Sequence, residues 1–205
     1  INEDKIYLLY NWSPIELDFN YNTDHNQINK IIYTGNIGNS QNFENVVEAF
    51  KSIKNIQLDI YGEGKFKNKL IKIIKENNIT NINLYSAVEV KEISRLIKNY
   101  DAALISLDAQ YSHTIPGKFQ FYLSMSMPII AAIKGETMHI INKNNVGLCS
   151  EPNNSTDLKN KIISFCNLTD KNKKSMAYNS FNLYKKIFAK EININILKEN
   201  FEKFK

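Results

Sequence analysis

From Lys30 onward, short apolar runs alternate with longer stretches in which apolar residues recur every three or four positions. Ile31-Ile32-Tyr33-Thr34 reads as a buried strand ending at Gly35, and Phe43, Val46, Val47 and Phe50 then fall at i, i+3, i+4 and i+7, one face of a helix. Ile56 to Ile60 predicts a second strand, closed by Tyr61-Gly62-Glu63-Gly64, with Phe66, Leu70, Ile73 and Ile74 marking the next helix. Ile82 to Tyr85 and a helix carrying Ile93, Leu96 and Ile97 make a third unit. Ala102 to Leu107 reads as a strand covered on both faces, as central parallel strands are. A polar loop from Asp108 to Gly117 leads into a helix from about Lys118 to Met125, and Pro128 to Ala132 is another buried strand. Val146-Gly147-Leu148 is short and precedes the helical face Leu158, Ile162, Ile163 and Cys166, capped by Asn154-Ser155-Thr156-Asp157. Helices at about 170–184 and 191–204 close the chain, the last with Ile194, Leu197, Phe201 and Phe204 on one side.

Repeated strand-helix units with strands this apolar predict an α/β fold, a Rossmann-like open parallel sheet with helices on both faces. Residues 1–29 stand apart from it. Ile6 to Tyr10 is a short apolar run of strand type, Asn11-Trp12-Ser13-Pro14 is turn chemistry that stops it, and Pro14 to Asn29 is polar and aperiodic, as in a linker.

With 205 residues and 43% hydrophobic content, the chain can bury a full core without disulfides or a structural metal. Cys149 and Cys166 have neither CxxC nor His-pair spacing, which argues against zinc and suits two thiols in a reducing cytosol. No apolar run reaches 18 residues, so a cytoplasmic protein is expected. The net charge of +5 comes almost wholly from lysine, Arg95 being the one arginine. Nucleic-acid readers depend on arginine for bidentate guanine contacts, so nucleic acid is excluded as a partner. Asn and Ile are as inflated as Lys, and all three have A/T-rich codons. The lysine surplus therefore reads first as genome bias, with a weak pull toward anionic membrane surfaces as its functional alternative.

Ligands of open parallel sheets sit at the carboxyl ends of the strands. The chain has seven glycines, and Gly35, Gly38, Gly62, Gly64, Gly117 and Gly135 all fall at or near a strand end. Gly35 to Ser40 runs from a strand into a helix start, where backbone N–H groups favour an anion. It is neither the dinucleotide fingerprint nor a Walker loop, and a tight strand-to-helix turn explains it equally well. Tyr61-Gly62-Glu63-Gly64 repeats the geometry and adds a ring face. Lys118, at the start of a helix, has the wrong charge for the dipole, a cost that an anion between them offsets. Lys118 and Tyr122 share a helical face, whereas Gln120 points elsewhere. His25 and His139 have no companions, and neither a Ser/His/Asp triad nor a hydrolase carboxylate pair is present.

Tyr33-Thr34-Gly35-Asn36-Ile37-Gly38, Asp59 to Gly64, Tyr100 to Leu104, Pro116 to Leu123 with Pro128-Ile129-Ile130, and Gly135-Glu136 with Asn145-Val146-Gly147 follow one another in an order that resembles a known family. It is the C-terminal half of group-1 (family 4) glycosyltransferases of the GT-B fold, and the bacterial WbuB-like branch in particular. The resemblance implies a tail and linker at 1–29 from an N-terminal acceptor domain, a donor-binding domain at 30–189 and a crossover helix at 190–205. It implies a nucleoside-diphosphate sugar as donor, a lipid-linked glycan as acceptor, no metal cofactor, and a place at the inner face of the plasma membrane. Gly35, Asn36 and Gly38 would meet the diphosphate, and Tyr61, Gly62 and Gly64 the nucleoside. Val88 would flank the base, and Lys118, Gln120 and Tyr122 would meet phosphate and ribose, Lys118 as the catalytic countercharge. Gly135 and Glu136 complete the substrate-binding set.

Two departures stand out. Asn36 and Gln41 occupy positions where many members carry arginine and lysine, and His113 and Phe121 occupy those of two glutamates that touch sugar and ribose. Gln120 is then expected to take over ribose hydrogen bonding. The alternatives, a non-catalytic flavodoxin-like or receiver-like module and a sugar-nucleotide epimerase half, would need an acidic cluster, a flavin loop or further catalytic residues.

Overall fold

Ile31, Ile32, Tyr33 and Ala102 to Ile105 have no exposed surface, the mark of central strands covered on both faces. In the computed structural model, which describes residues 7–22, 29–111 and 114–202, they lie at the middle of one sheet. Its strands are β1 (Asn29–Thr34), β2 (Ile56–Tyr61), β3 (Ile82–Tyr85), β4 (Ala102–Ser106), β5 (Ile129–Ala132) and β6 (Gly147–Ser150). They are all parallel, in the order β3-β2-β1-β4-β5-β6. The chain winds outward from β1 to β3, then crosses to β4 and winds the other way. Beside β1 and β4, at their carboxyl ends, that reversal opens a crevice.

Alternation along each strand divides the core in two. Ile31, Tyr33, Leu58, Ile60, Leu104 and Ile130 face one side, where α1 (Phe43–Phe50), α2 (Lys67–Glu76) and α6 (Ser155–Cys166) bring Phe43, Phe50, Leu70, Leu158 and Phe165 against them. Ile32, Ala103, Ile105, Ile129 and Ala131 face the other. There α3 (Val90–Leu96), α4 (Gly117–Ser124), α5 (Glu136–Asn144) and α7 (Asp170–Leu183) supply Ile93, Phe119, Ile140 and Leu183.

α5 went unpredicted, because only Thr137, Ile140 and Ile141 of its nine residues are buried and no periodic stripe announces it. The expected strand at 6–10 is absent over its described part, 7–10. Its groups are satisfied elsewhere: the Tyr10 N–H donates to Asn193 Oδ1 at 3.0 Å, and the Tyr10 ring packs on Phe188 with centroids 4.8 Å apart. Residues 14–22 have no regular element but are tied down. The Tyr21 hydroxyl donates to the Asp101 carbonyl, and Glu16 accepts from the Tyr184 hydroxyl and the Lys190 N–H. α7 passes into a wider π-type turn, Tyr184–Phe188, before α8 (Lys190–Glu202), whose Phe201 is 65% exposed. Phe204 lies outside the described residues. Burial pushes both thiols, Cys149 and Cys166, up to about 12, so they are protonated and inert at neutral pH.

Candidate functional site

The crevice holds a cavity of about 260 Å³, lined by the ends of β1 (Thr34, Gly35) and β2 (Tyr61), the segment after β3 (Ala87, Val88), α3 (Val90, Ile93), the first turn of α4 (Gly117, Lys118, Phe121) and Pro14. One end carries Lys118 and the start of a helix. The other is apolar.

The polar end follows from how α4 begins. Pro116, its N-cap residue, has no side chain able to accept from the first turn, and its fixed φ suits a helix entry. The N–H groups of Gly117 and Lys118 therefore remain outside the helix ladder, and the space above Gly117 is open to 4 Å. Lys118 points across to β1, donating to the Tyr33 hydroxyl with its ammonium 3.8 Å from the centre of the Tyr33 ring. Four residues on, the Tyr122 hydroxyl accepts from the Thr34 N–H at 2.8 Å. The two side chains thus grip consecutive residues of β1 and lock α4 to the strand. The Tyr33 hydroxyl in turn donates to the Asn36 carbonyl, and burial holds its pKa far above normal, so no phenolate forms to neutralise Lys118. Among the described residues no carboxylate pairs with Lys118 either. Although the residue keeps some contact with the cleft, its ammonium is surrounded by protein, and desolvation pushes its pKa down to about 7.

The glycine loops turn out differently. The Gly35 N–H donates to the Tyr61 carbonyl at 2.9 Å, the Ile37 N–H to the Glu63 carbonyl at 2.7 Å, and the Gly38 N–H to Gln41 Oε1 at 2.9 Å. These amides extend the β1–β2 ladder and close a turn. A Cβ on Gly62 would lie 2.0 Å from the Gly35 carbonyl oxygen, and one on Gly64 2.2 Å from that of Ile37. Glycine at 62 and 64 lets the two loops touch, a sufficient structural reason for both. Of the first loop, Gly35 reaches the cavity, whereas Asn36 and Gly38 do not line it.

Tyr61 forms one wall, held from behind by a buried relay. Asp59 accepts from Gln57 Nε2 at 2.7 Å, Asn83 Nδ2 at 2.8 Å and the Tyr100 hydroxyl at 2.7 Å. Because Tyr100 spends its proton on Asp59, the Tyr61 hydroxyl, 3.2 Å away, donates to Tyr100. The Tyr61 ring stacks on Tyr85 with centroids 4.6 Å apart.

Of the residues predicted from sequence, Gly35, Tyr61, Val88 and Lys118 line the cavity. Gln120 is a correction: it is 2% exposed and turned inward. In the amide orientation that satisfies both ends, its nitrogen donates to the Gly117 and Pro116 carbonyls at 3.1 and 2.9 Å, so it has no group to offer a ribose. Tyr122 is likewise fully buried and acts on β1 rather than on the cleft. Gly135 and Glu136 open α5 on the surface, away from this lining. His113 lies outside the described residues. Phe121, at the position of one family glutamate, also lines the cavity, whereas Pro14, Ala87, Val90 and Ile93 were missed as lining residues, since an apolar wall in a crevice has the same sequence pattern as core.

Residues 16–182 match the family described as glycosyl transferases group 1. The chain belongs to that family. Among curated glycosyltransferases it is similar to the probable glycosyltransferase WbjE of Pseudomonas aeruginosa, 24% identical over 141 residues, 66% of this chain and 35% of that protein. Its fold is similar to that of WaaB, a lipopolysaccharide outer core galactosyltransferase, with a TM-score of 0.76 at 15% identity over 100% of this chain and 57% of that one. It is also similar to Anabaena HepE in complex with UDP-glucose, with a TM-score of 0.72 at 15% identity over 86% of this chain and 48% of that one. The chain therefore spans about a third of this curated relative and half of these structural neighbours. Its fold is the Rossmann-like half expected of a GT-B enzyme.

Proposed function

We propose that this chain is the donor-binding half of a glycosyltransferase that takes a nucleoside-diphosphate sugar, UDP-linked, and passes the sugar with retention to a hydroxyl of a lipid-linked glycan during bacterial surface polysaccharide synthesis. The observation that carries the reading is the uncapped start of α4 with Lys118 beside it. A desolvated ammonium without a carboxylate partner, set against a helix N-terminus, is unfavourable until an anion arrives. The adjoining apolar cavity is where the nucleoside attached to that anion would lie.

In this reading the bond from the sugar's anomeric carbon to the diphosphate oxygen breaks as the acceptor oxygen bonds to that carbon on the same face, the hydroxyl's proton passing to the departing diphosphate, on which charge builds as its bond breaks. Donors already aimed at it lower the barrier without reorganising. Lys118 and the α4 amides do this, and Tyr33 and Tyr122 keep them in place. No metal is invoked, and among the described residues no group of three His, Cys, Asp or Glu side chains is arranged to hold one. The acceptor is supplied from a second domain working at the inner membrane face, so this chain alone is expected to bind donor but not transfer sugar. No helix among the described residues is long and apolar enough to cross a membrane. Calorimetric titration of UDP into the chain tests the reading: saturable heat is expected, and none up to millimolar UDP would reject it.

A further inference from the structure

We propose that the nucleoside pocket does not read the 2′-hydroxyl, so that a 2′-deoxynucleoside diphosphate, the thymidine type included, is accepted with an affinity of the same order as the ribonucleotide. This rests on the donor-site reading and deepens it.

The pentose of a nucleoside diphosphate is joined to the phosphate through a single carbon. With the diphosphate at Gly117 and Lys118, the pentose lies about one helical step away, over the residue that follows on the same face of α4. That residue is Phe121, which lines the cavity and is 9% exposed. Among the described lining residues, only Thr34, Tyr61 and Lys118 carry a polar side-chain atom. Each is engaged: Thr34 Oγ1 with the Tyr122 hydroxyl, the Tyr61 hydroxyl with Tyr100, and Lys118 with Tyr33. No carboxylate or side-chain amide faces the cavity among them, and Gln120, the nearest candidate, is spent behind the wall on Pro116 and Gly117.

A site rejects an analogue that lacks a hydroxyl only when the loss leaves a partner of its own unpaired. Among the side chains of the described lining residues no such unengaged partner is found, and a hydroxyl pressed on the Phe121 ring gives up its water without a side-chain partner there. The far wall, built from Ala87, Val88, Val90 and Ile93, is aliphatic, the surface that a 5-methyl group on a pyrimidine would contact.

Binding of UDP, dUDP and dTDP to the chain by calorimetry tests this. The expected result is a dUDP dissociation constant no more than fivefold above that of UDP, with dTDP no more than fivefold above dUDP. If dUDP is weaker than UDP by a larger factor, the inference is overturned while the donor-site reading stands. If dTDP alone falls outside the limit, its thymidine part is overturned. Absence of heat from all three rejects the donor site itself and the inference with it. Phe121→Glu places an acceptor beside the pentose and should favour UDP over dUDP at least tenfold, and a folded Phe121→Glu with an unchanged ratio refutes the placement. Phe121→Leu, a milder change, should keep the ratio within fivefold, and a ratio outside that range also counts against it.

Discussion

The loop after β1 and the start of α4 both lie at the carboxyl edge of the sheet, both contain glycine, and both read from sequence as phosphate cradles. They differ in what their amides do. In the β1 loop, Gly35, Ile37 and Gly38 donate to Tyr61, Glu63 and Gln41, and glycine at 62 and 64 makes room for that contact. In α4 the first amides have no cap, a Cβ on Gly117 would meet no atom beyond its chain neighbours within 4 Å, and a lysine with no counter-ion reaches from this turn to Tyr33, its ammonium 4.0 Å from the Cβ position of Gly35. The lesson is that glycine at a strand end marks close approach of backbone to something. Whether that is another loop or a ligand depends on where the N–H groups go.

This contrast can be broken at several points. Lys118→Ala removes a charged hydrogen bond of about 1.5–3 kcal/mol and should weaken UDP roughly ten- to 150-fold, leaving uridine nearly unchanged. Equal losses for both would place Lys118 outside the phosphate site. Tyr33→Phe deletes the hydroxyl that holds the lysine and should cost UDP affinity only about two- to tenfold, since a neutral acceptor contributes roughly 0.5–1.5 kcal/mol.

The depressed Lys118 pKa gives a signature in pH. Free chain and complex share a charged lysine below pH 7, but at pH 8 the free residue has mostly lost its proton, which an incoming diphosphate restores. UDP binding should then take up close to one proton at pH 8 and weaken about fivefold between pH 7 and 8, measured in buffers of different ionisation enthalpy. For stability of the free chain the sign is opposite. The unfolded lysine keeps its proton to about pH 10, so between pH 7 and 10 the contribution of this residue to stability rises with pH.

On the other side of the comparison, Gly62→Ala should lower the thermal midpoint by roughly 2–12 °C through the clash with Gly35, while the folded fraction keeps its UDP affinity within about twofold. A selective loss of UDP affinity with unchanged stability would return the glycine loops to the phosphate. The smallest expected effect is that of EDTA, which should leave UDP binding unchanged.

Much of the fold was legible because β1, β2, β4 and β5 are so apolar and α1 and α6 so periodic. α5 was not, since it buries one short edge, and residues 7–10 were misread because Tyr10 looks like a strand residue whether it pairs in a sheet or packs on Phe188. At the site, Lys118 was readable from the conflict between its charge and the helix start. Gln120 was misassigned because amide direction depends on neighbours that lie elsewhere in the chain, here the Pro116 and Gly117 carbonyls. The spent amides of Gly35 and Ile37 were equally hidden, because their acceptors sit on β2 and its loop.

In the proposed donor site the anion is held at the start of α4 and not by the β1 loop. Titration of UDP into isotopically labelled chain, followed by amide resonances, tests it directly. The largest shifts are expected at Gly117 and Lys118, with Ile37 and Gly38 little changed. Large shifts at Ile37 and Gly38 with α4 undisturbed would contradict it.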